Sequence, residues 1–403
     1  MKSNYKSNPF LRNTALAFAA VVMAVSSQTT QAATRTWSAS AASNLWSAAN
    51  WDTPPVAGDA LVFTGAANTS TSNDFAAATS FAGITFDAAA TPFTLAGNSI
   101  TLAGNISSAA ANLQTISLPI VTTAVRTVTT VAGGQVLLSG VVSGTAGGLS
   151  QVGPGTLNLS GVDTYTGATS IDTGGTLQIS GAGKLGNGTY SAAIIDNGTL
   201  NYGSSAAQTF QTGVISGTGS IILNESVIPL PTAATATAAL TLKAANTYSG
   251  GTTLNGGVLS LVGGNVSSLG TGTVTLNGGL LMVGTVSPTN NWVLAGGGIF
   301  GGNGNTTLSG SLTINAGSTT SYLGGTYDGK VQTYSGAVSG SGDVTIARTS
   351  MIDTNYAGNN VHFSNAGVST YNGTVTIASD GWSNLYIDAT SALANATINV
   401  QNA

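Results

Sequence analysis

Two stretches of this chain repeat one another, and that repetition constrains the fold more than any other feature. Residues 157–180 read LNLSGVDTYTGATSIDTGGTLQIS and residues 240–261 read LTLKAANTYSGGTTLNGGVLSL. Both open on an alternating apolar pair and continue through Asp163-Thr164-Tyr165 or Asn246-Thr247-Tyr248. Gly167 or Gly250, Thr169 or Thr252, and Ile171 or Leu254 follow. A double-glycine corner then leads to Leu177 and Ile179 or Leu259 and Leu261, the first copy being one residue longer before Gly174-Gly175. A second element recurs at Val142-Ser143-Gly144, Ile215-Ser216-Gly217 and Val338-Ser339-Gly340. A unit of about 20–25 residues has the length of one solenoid coil built from two or three short strands.

The intervening segments agree. TVTL (273–276), SLTI (311–314), DVTI (343–346), TVTI (374–377), NLYI (384–387) and TINV (397–400) place apolar residues at every second position, the period of a half-buried strand. Gly-Gly, Asn-Gly and Ser-Gly pairs separate them and supply tight corners. No stretch after residue 32 has helical periodicity. An antiparallel sandwich has no reason to repeat a tyrosine, a glycine and a double-glycine corner at fixed offsets, whereas in a parallel β-helix like residues stack on like. The sequence therefore predicts an all-β, right-handed parallel β-helix of about 17 coils, with aliphatic residues along the axis and Thr, Ser and Asn ladders outside.

Composition narrows function. Only 5% of residues are charged, against roughly 25% in an ordinary soluble domain. Stacked like charges would repel along a solenoid, whereas hydroxyls and amides form ladders. Nine Lys and Arg cannot make a basic stripe, so nucleic acid is not an expected partner. Without cysteine there is no disulfide or thiolate site, and a single histidine excludes histidine-cluster metal centres. No cofactor is expected.

Residues 1–32 read as a cleaved signal peptide. Lys2, Lys6 and Arg12 precede the apolar run Ala15–Val25, and Thr30-Gln31-Ala32 is the expected cleavage triplet. The run is too short to span a bilayer. Its removal leaves six basic residues against 13 acidic ones, a net charge of −7. Residues 33–135 read as a cap and the first coils, because Trp37, Trp46 and Trp51 cluster there. Bulky indoles would close an open solenoid end, and an aromatic sugar platform is the competing reading. Residues 136–403 read as the β-helix proper, with repeats at 144–180 and 240–261.

The repeat residues resemble the autotransporter-associated β-strand repeat, also called the passenger-associated transport repeat. Gly155, Leu157, Leu159, Gly161, Tyr165, Gly167, Thr169, Gly175 and Leu177 take its motif positions in the first copy. Leu242, Asn246, Tyr248, Gly250, Thr252, Gly257 and Leu259 take them in the second, where Ala244 replaces a glycine. Trp37, Trp46 and Asn50-Trp51-Asp52 resemble the usual opening of such proteins. The resemblance implies an exported passenger at a Gram-negative cell surface, structural or adhesive, with extracellular glycans or the surfaces of host or neighbouring cells as partners. Full autotransporters end in a membrane β-barrel, and Thr397–Ala403 show no such strand or a sorting tail. The expectation is thus a released chain, a fragment or a different export route.

Catalytic signals are sparse. His362 is the only histidine, with Asp353 and Arg348 upstream, and no G-x-S-x-G elbow exists. Gly181–Gly186 matches G-x-G-x-x-G but opens no helix that could bind phosphate, so it reads as a corner. Gly301–Leu308 nearly fits a calcium-binding nonapeptide, with Thr306 in the aspartate place. Asp343, Asp353, Asp380 and Asp388, with Arg348, are the one loose grouping that could serve a polysaccharide lyase or glycosidase. Outward Thr273, Thr275, Thr313, Thr345 and Thr376 suggest an array for an ordered surface, although their spacing is irregular. The favoured reading is a structural or adhesive passenger without a catalytic centre. The alternative is a glycan-active β-helix enzyme.

Overall fold

The computed structural model describes residues 32–401 apart from position 42 and residues 226–238, 303, 318–319, 326–328, 348–358, 366–368, 380–382 and 390–391. Residues 1–31, all but the last of the expected signal peptide, lie outside the described residues. From Ala32 onward the chain is one compact unit. Its strands are short and their ladders are all parallel, wound into a β-solenoid of about 14 turns.

A long face of 13 strands runs from Ser70–Asn73 to Val338–Gly340. A second face of nine strands runs from Thr34–Trp37 to Ile215–Ser216, and a third of ten runs from Thr189–Tyr190 to Thr397–Val400. Two four-stranded sheets complete the early and late turns. The turn count falls below 17 because loop length varies. Val274 pairs with Trp292, 18 positions on, whereas Ile221 pairs with Thr252, 31 positions on.

The alternation read from the sequence becomes columns. Leu157 pairs with Leu177, Leu177 with Leu200 and Leu200 with Ile221. Leu254, Leu276, Leu294 and Ile314 form a second such file. All are buried, and each contributes about 1.5–3 kcal/mol relative to an exposed side chain. Polar residues also point inward where the chain turns. Gln151 Nε2 donates to the carbonyls of Gly153 and Gly155 at 2.8 and 3.1 Å, and Gln208 Oε1 accepts from the Leu185 amide at 2.8 Å. These amides satisfy corner backbone that the ladders leave unpaired. Outside, Asn201, Asn224, Asn255 and Asn277 form an amide ladder over successive turns, with N–H···O distances of 3.0, 2.6 and 2.9 Å.

The first turns hold the three clustered tryptophans. Trp37 and Trp51 meet edge-on at 5.1 Å, and Trp46 packs against Phe63 and Phe81 at 5.8 Å each. Trp46 Nε1 donates to Thr71 Oγ1 and Trp51 Nε1 to the Trp46 carbonyl, both at 2.9 Å. The indoles are 0, 0 and 4% exposed, so they present no face to a sugar.

Candidate functional site

Each repeat copy forms one turn that closes on itself. Leu157 and Leu159 pair with Leu177 and Ile179 of the same copy, and Leu240 pairs with Leu259. The copies nevertheless occupy different faces. Thr169–Ile171 belongs to the second face and Thr252–Leu254 to the long face. The motif therefore specifies a turn and not a position around the axis.

Within the motif the polar residues address the preceding turn. Asp163 Oδ1 accepts from the Val142 amide at 2.7 Å, and Asn246 Oδ1 accepts from the Ile215 amide at 2.8 Å. The Thr164 and Thr247 amides donate to the carbonyls of Val142 and Ile215, both at 2.9 Å. Tyr165 and Tyr248 are buried, with hydroxyls 3.0 and 2.6 Å from Thr169 and Thr252 Oγ1. A Cβ on Gly167 would sit 2.3 Å from the Gly147 carbonyl oxygen, and one on Gly250 would sit 2.5 Å from that of Gly219. The two recurring sequence elements are thus halves of one device. The Val-Ser-Gly or Ile-Ser-Gly segment forms the lower strand, and the Tyr-containing segment is laid over it.

That geometry exposes a third copy. Ser369-Thr370-Tyr371-Asn372-Gly373 lies over Val338-Ser339-Gly340. Ser369 Oγ donates to the Val338 carbonyl at 2.9 Å, the Thr370 amide donates to the same carbonyl at 3.1 Å, and Tyr371 is buried with its hydroxyl donating to the Gly342 carbonyl at 2.9 Å. Serine in place of Asp or Asn hides it from sequence comparison. The 31-residue offset from Val338 to Ser369, the same as from Ile215 to Asn246, is the signal that could have revealed it.

The remaining motif residues pack the same turns. Gly155 precedes the Thr156–Leu159 strand, Gly161 abuts Gly140, and a Cβ on Gly175 would strike Gln151 Oε1. Leu242 is buried, and Gly257 has φ +74° against the Glu225 side chain.

Two interior carboxyls are electrostatically unusual. Burial pushes Asp163 up to about 8 and Asp196 up to about 7. Among the described residues, each has an Oδ2 without a hydrogen-bond partner. In the second copy the corresponding Asn246 donates Nδ2–H to the Ser268 carbonyl at 2.7 Å.

The loose acidic grouping is not drawn together where it is described. Asp343 precedes a strand of the third face and accepts from the Thr374 amide at 2.9 Å. Asp388 follows a strand of the late four-stranded sheet and pairs with His362 Nδ1 at 2.8 Å, while the imidazole stacks on Tyr386 at 4.3 Å. Arg348, Asp353 and Asp380 lie outside the described residues. Gly181–Gly186 turns a corner into a three-residue 3-10 turn, Gly186–Gly188. The Thr306 hydroxyl is buried, away from any external cation. Among the described residues no group of three or more His, Cys, Asp or Glu could hold a metal. Of the five threonines considered as an array, Thr275 and Thr313 lie on the long face, Thr345 and Thr376 on the third, and Thr273 outside any strand. A regular rank does exist elsewhere. Thr156, Thr176, Thr199 and Ser220 pair in register along the long face, beside Asn158, Gln178 and Asn201. Among the described residues no strand of that face carries a charged side chain.

The sequence matches the family model of the passenger-associated-transport-repeat over residues 149–179 and 237–261. It is 34% identical over 182 residues to the adhesin BmaC autotransporter of Brucella suis biovar 1 (strain 1330), an alignment covering 36% of this chain and 5% of that protein. The chain thus spans a small part of the relative it matches. No solved structure matches it.

Proposed function

We propose, from a chain that carries passenger-associated transport repeats in a parallel β-helix, that this protein is the exported, adhesive passenger of a Gram-negative surface protein and acts without a catalytic centre. Residues 1–32 direct its export, and its partners are extracellular glycans or the surfaces of host or neighbouring cells. The observation that carries this reading is the long face, 13 strands of outward hydroxyl, amide and apolar groups without a charge. Such a surface can hold a partner by many weak neutral contacts, and the word adhesin in the relative's name supports the same role.

Beads coated with residues 33–403 should attach to cells or immobilised glycans. Because the long face is uncharged, attachment should fall less than about twofold between 50 and 500 mM NaCl, a range over which exposed ion pairs are screened. A steep loss with salt would place adhesion elsewhere. Incubation with a panel of plant and microbial glycans should release no product. Turnover that disappears in D343N or D388N would establish the enzymatic alternative.

A further inference from the structure

We propose that removal of the signal peptide completes the cap: the α-ammonium freed at Ala33 seats on the buried Asp59 carboxylate and locks the first strand of the solenoid. The inference rests on the export reading of residues 1–32, whose expected cleavage triplet Thr30-Gln31-Ala32 ends immediately before Ala33. The Ala33 nitrogen donates to Asp59 Oδ1 at 3.1 Å. The Ala33 carbonyl accepts from the Ala60 amide at 2.8 Å, and Thr34 opens the parallel ladder on Ala60. Backbone pairing thus holds the nitrogen against the carboxylate.

Asp59 is arranged to receive a cation at that point. The residue is 4% exposed. Its amide donates to the Val56 carbonyl at 3.1 Å and its carbonyl accepts from the Ala82 amide at 2.8 Å, so the side chain starts from fixed backbone. Oδ2 accepts from Arg35 Nε at 2.7 Å and from the Val56 amide at 3.0 Å. Oδ1 faces the Ala33 nitrogen, so the guanidinium and an ammonium would take different oxygens. Burial opposes ionisation of Asp59. Hydrogen bonds from Arg35, Val56 and Ala33, together with the Arg35 charge, outweigh it and hold the carboxyl below its ordinary 3.8. Asp59 is therefore anionic at neutral pH. The other charged side chain hydrogen-bonded to this strand, among the described residues, is Asp52, whose Oδ1 accepts from the Thr36 amide at 3.0 Å. It too favours a cation nearby.

Cleavage changes this donor from neutral to charged without moving it. A signal peptidase adds water across the Ala32–Ala33 peptide bond. The C–N bond breaks, the water oxygen joins the Ala32 carbonyl carbon to give a carboxylate, and both water hydrogens pass to the Ala33 nitrogen to give an ammonium. A charge-assisted hydrogen bond is roughly twice as strong as a neutral one, and a low local dielectric strengthens it. Ala32 is exposed, so the other ammonium hydrogens stay solvated. The strand Thr34–Trp37 ends its sheet and pairs with Ala60–Phe63 alone, and chain ends fray unless they are tied down. The precursor holds that strand by a neutral amide and the mature chain holds it by an ion pair.

The test compares residues 33–403 bearing a free α-amine with the same chain acetylated at Ala33, which keeps an N–H donor and removes the charge. NMR titration of 13C-labelled Ala33 should place its α-ammonium pKa at about 9, above the ordinary range of about 7.7–8.0. Asp59→Asn should return it to that range. Near neutral pH the Ala60 amide should exchange about tenfold more slowly in the free-amine chain than in the acetylated one, the counterpart of a one-unit shift. The raised value belongs to a cation, so this difference should be full below about pH 7.7 and fade as the pH rises through about 9. An ordinary α-amine value, or equal exchange in the two chains, would overturn the proposal. The acetylated comparison needs no substitution, so it decides the matter even where Asp59→Asn fails to fold. Intact mass of the exported protein reads the cleavage separately. A first residue other than Ala33 overturns both the cleavage assignment and the pair. A start at Ala33 with an ordinary amine overturns the pair and leaves the export reading standing.

Discussion

Asp163→Asn should stabilise the protein at pH 8 by up to about 5 kcal/mol and flatten the dependence of stability on pH. Asp163 lies in the core with one oxygen accepting from the Val142 amide and the other, among the described residues, without a partner. Burial lifts its folded-state value to about 8 from an ordinary 3.8. Between those values the folded chain holds a proton that the unfolded chain releases, so stability declines as pH rises, by about 1.4 kcal/mol per pH unit for each such acid. Asp196, raised to about 7 by burial, adds to the decline over the lower part of the window. Asparagine keeps the acceptor and supplies a permanent donor. The second copy already makes this choice at Asn246, whose amide reaches the Ser268 carbonyl. The backbone parallel is close, since the Asp163 amide donates to the Lys184 carbonyl as the Asn246 amide does to that of Ser267. The Leu185 carbonyl, which accepts from the Gly188 amide and has a second lone pair, is therefore the acceptor expected for the new donor. Urea midpoints measured from pH 4 to 9 decide the matter. Wild type should lose stability across the range and Asp163→Asn should lose less. Parallel curves would show that Asp163 is ionised and otherwise compensated.

The same residues show what was legible beforehand. Period-two patterning and paired glycines imply parallel stacking because a solenoid is the fold in which a repeat lies directly on its neighbour, and Leu157 over Leu177 is that contact. The place of a repeat around the axis was not legible. The first copy lays its tyrosine segment over Val142 and the second over Ile215, strands of different sheets. Nor could patterning reveal inward glutamines such as Gln151 and Gln208, since their partners are corner carbonyls and amides that exist only once the coil has closed. The third copy was half legible through Val338-Ser339-Gly340. Its overlying half was lost because Ser369 bonds the same strand with different atoms. The Tyr165–Tyr190 contact joins one turn to the next, and no motif spans both.

Gly144→Ala should be far more damaging than Gly174→Ala, although both glycines have positive φ. Gly144 has φ +142° and Gly174 has φ +80°. At Gly174 an added Cβ meets nothing within 4 Å, so the substitution carries only conformational strain, about 1 kcal/mol. At Gly144 the same atom would fall 1.8 Å from the Thr122 carbonyl oxygen in the turn below. Backbone cannot rotate away as a side chain can, so the turns must separate. The strand Val142–Ser143 would then lose its pairing with Ile120–Val121, and the Asp163, Thr164 and Thr166 contacts laid over it would shift with it. Loss of several buried hydrogen bonds at about 1 kcal/mol each, with strain added, puts the effect at about 4 kcal/mol or more. Each turn of a solenoid contacts chiefly its neighbours, so the damage should remain local before it becomes global. Hydrogen exchange should show protection falling first in residues 120–167, with distant turns such as Leu254–Leu294 still protected. Equal losses in the two variants would show that these glycines serve conformation alone and that the turns are not stacked as closely as the Thr122 contact requires.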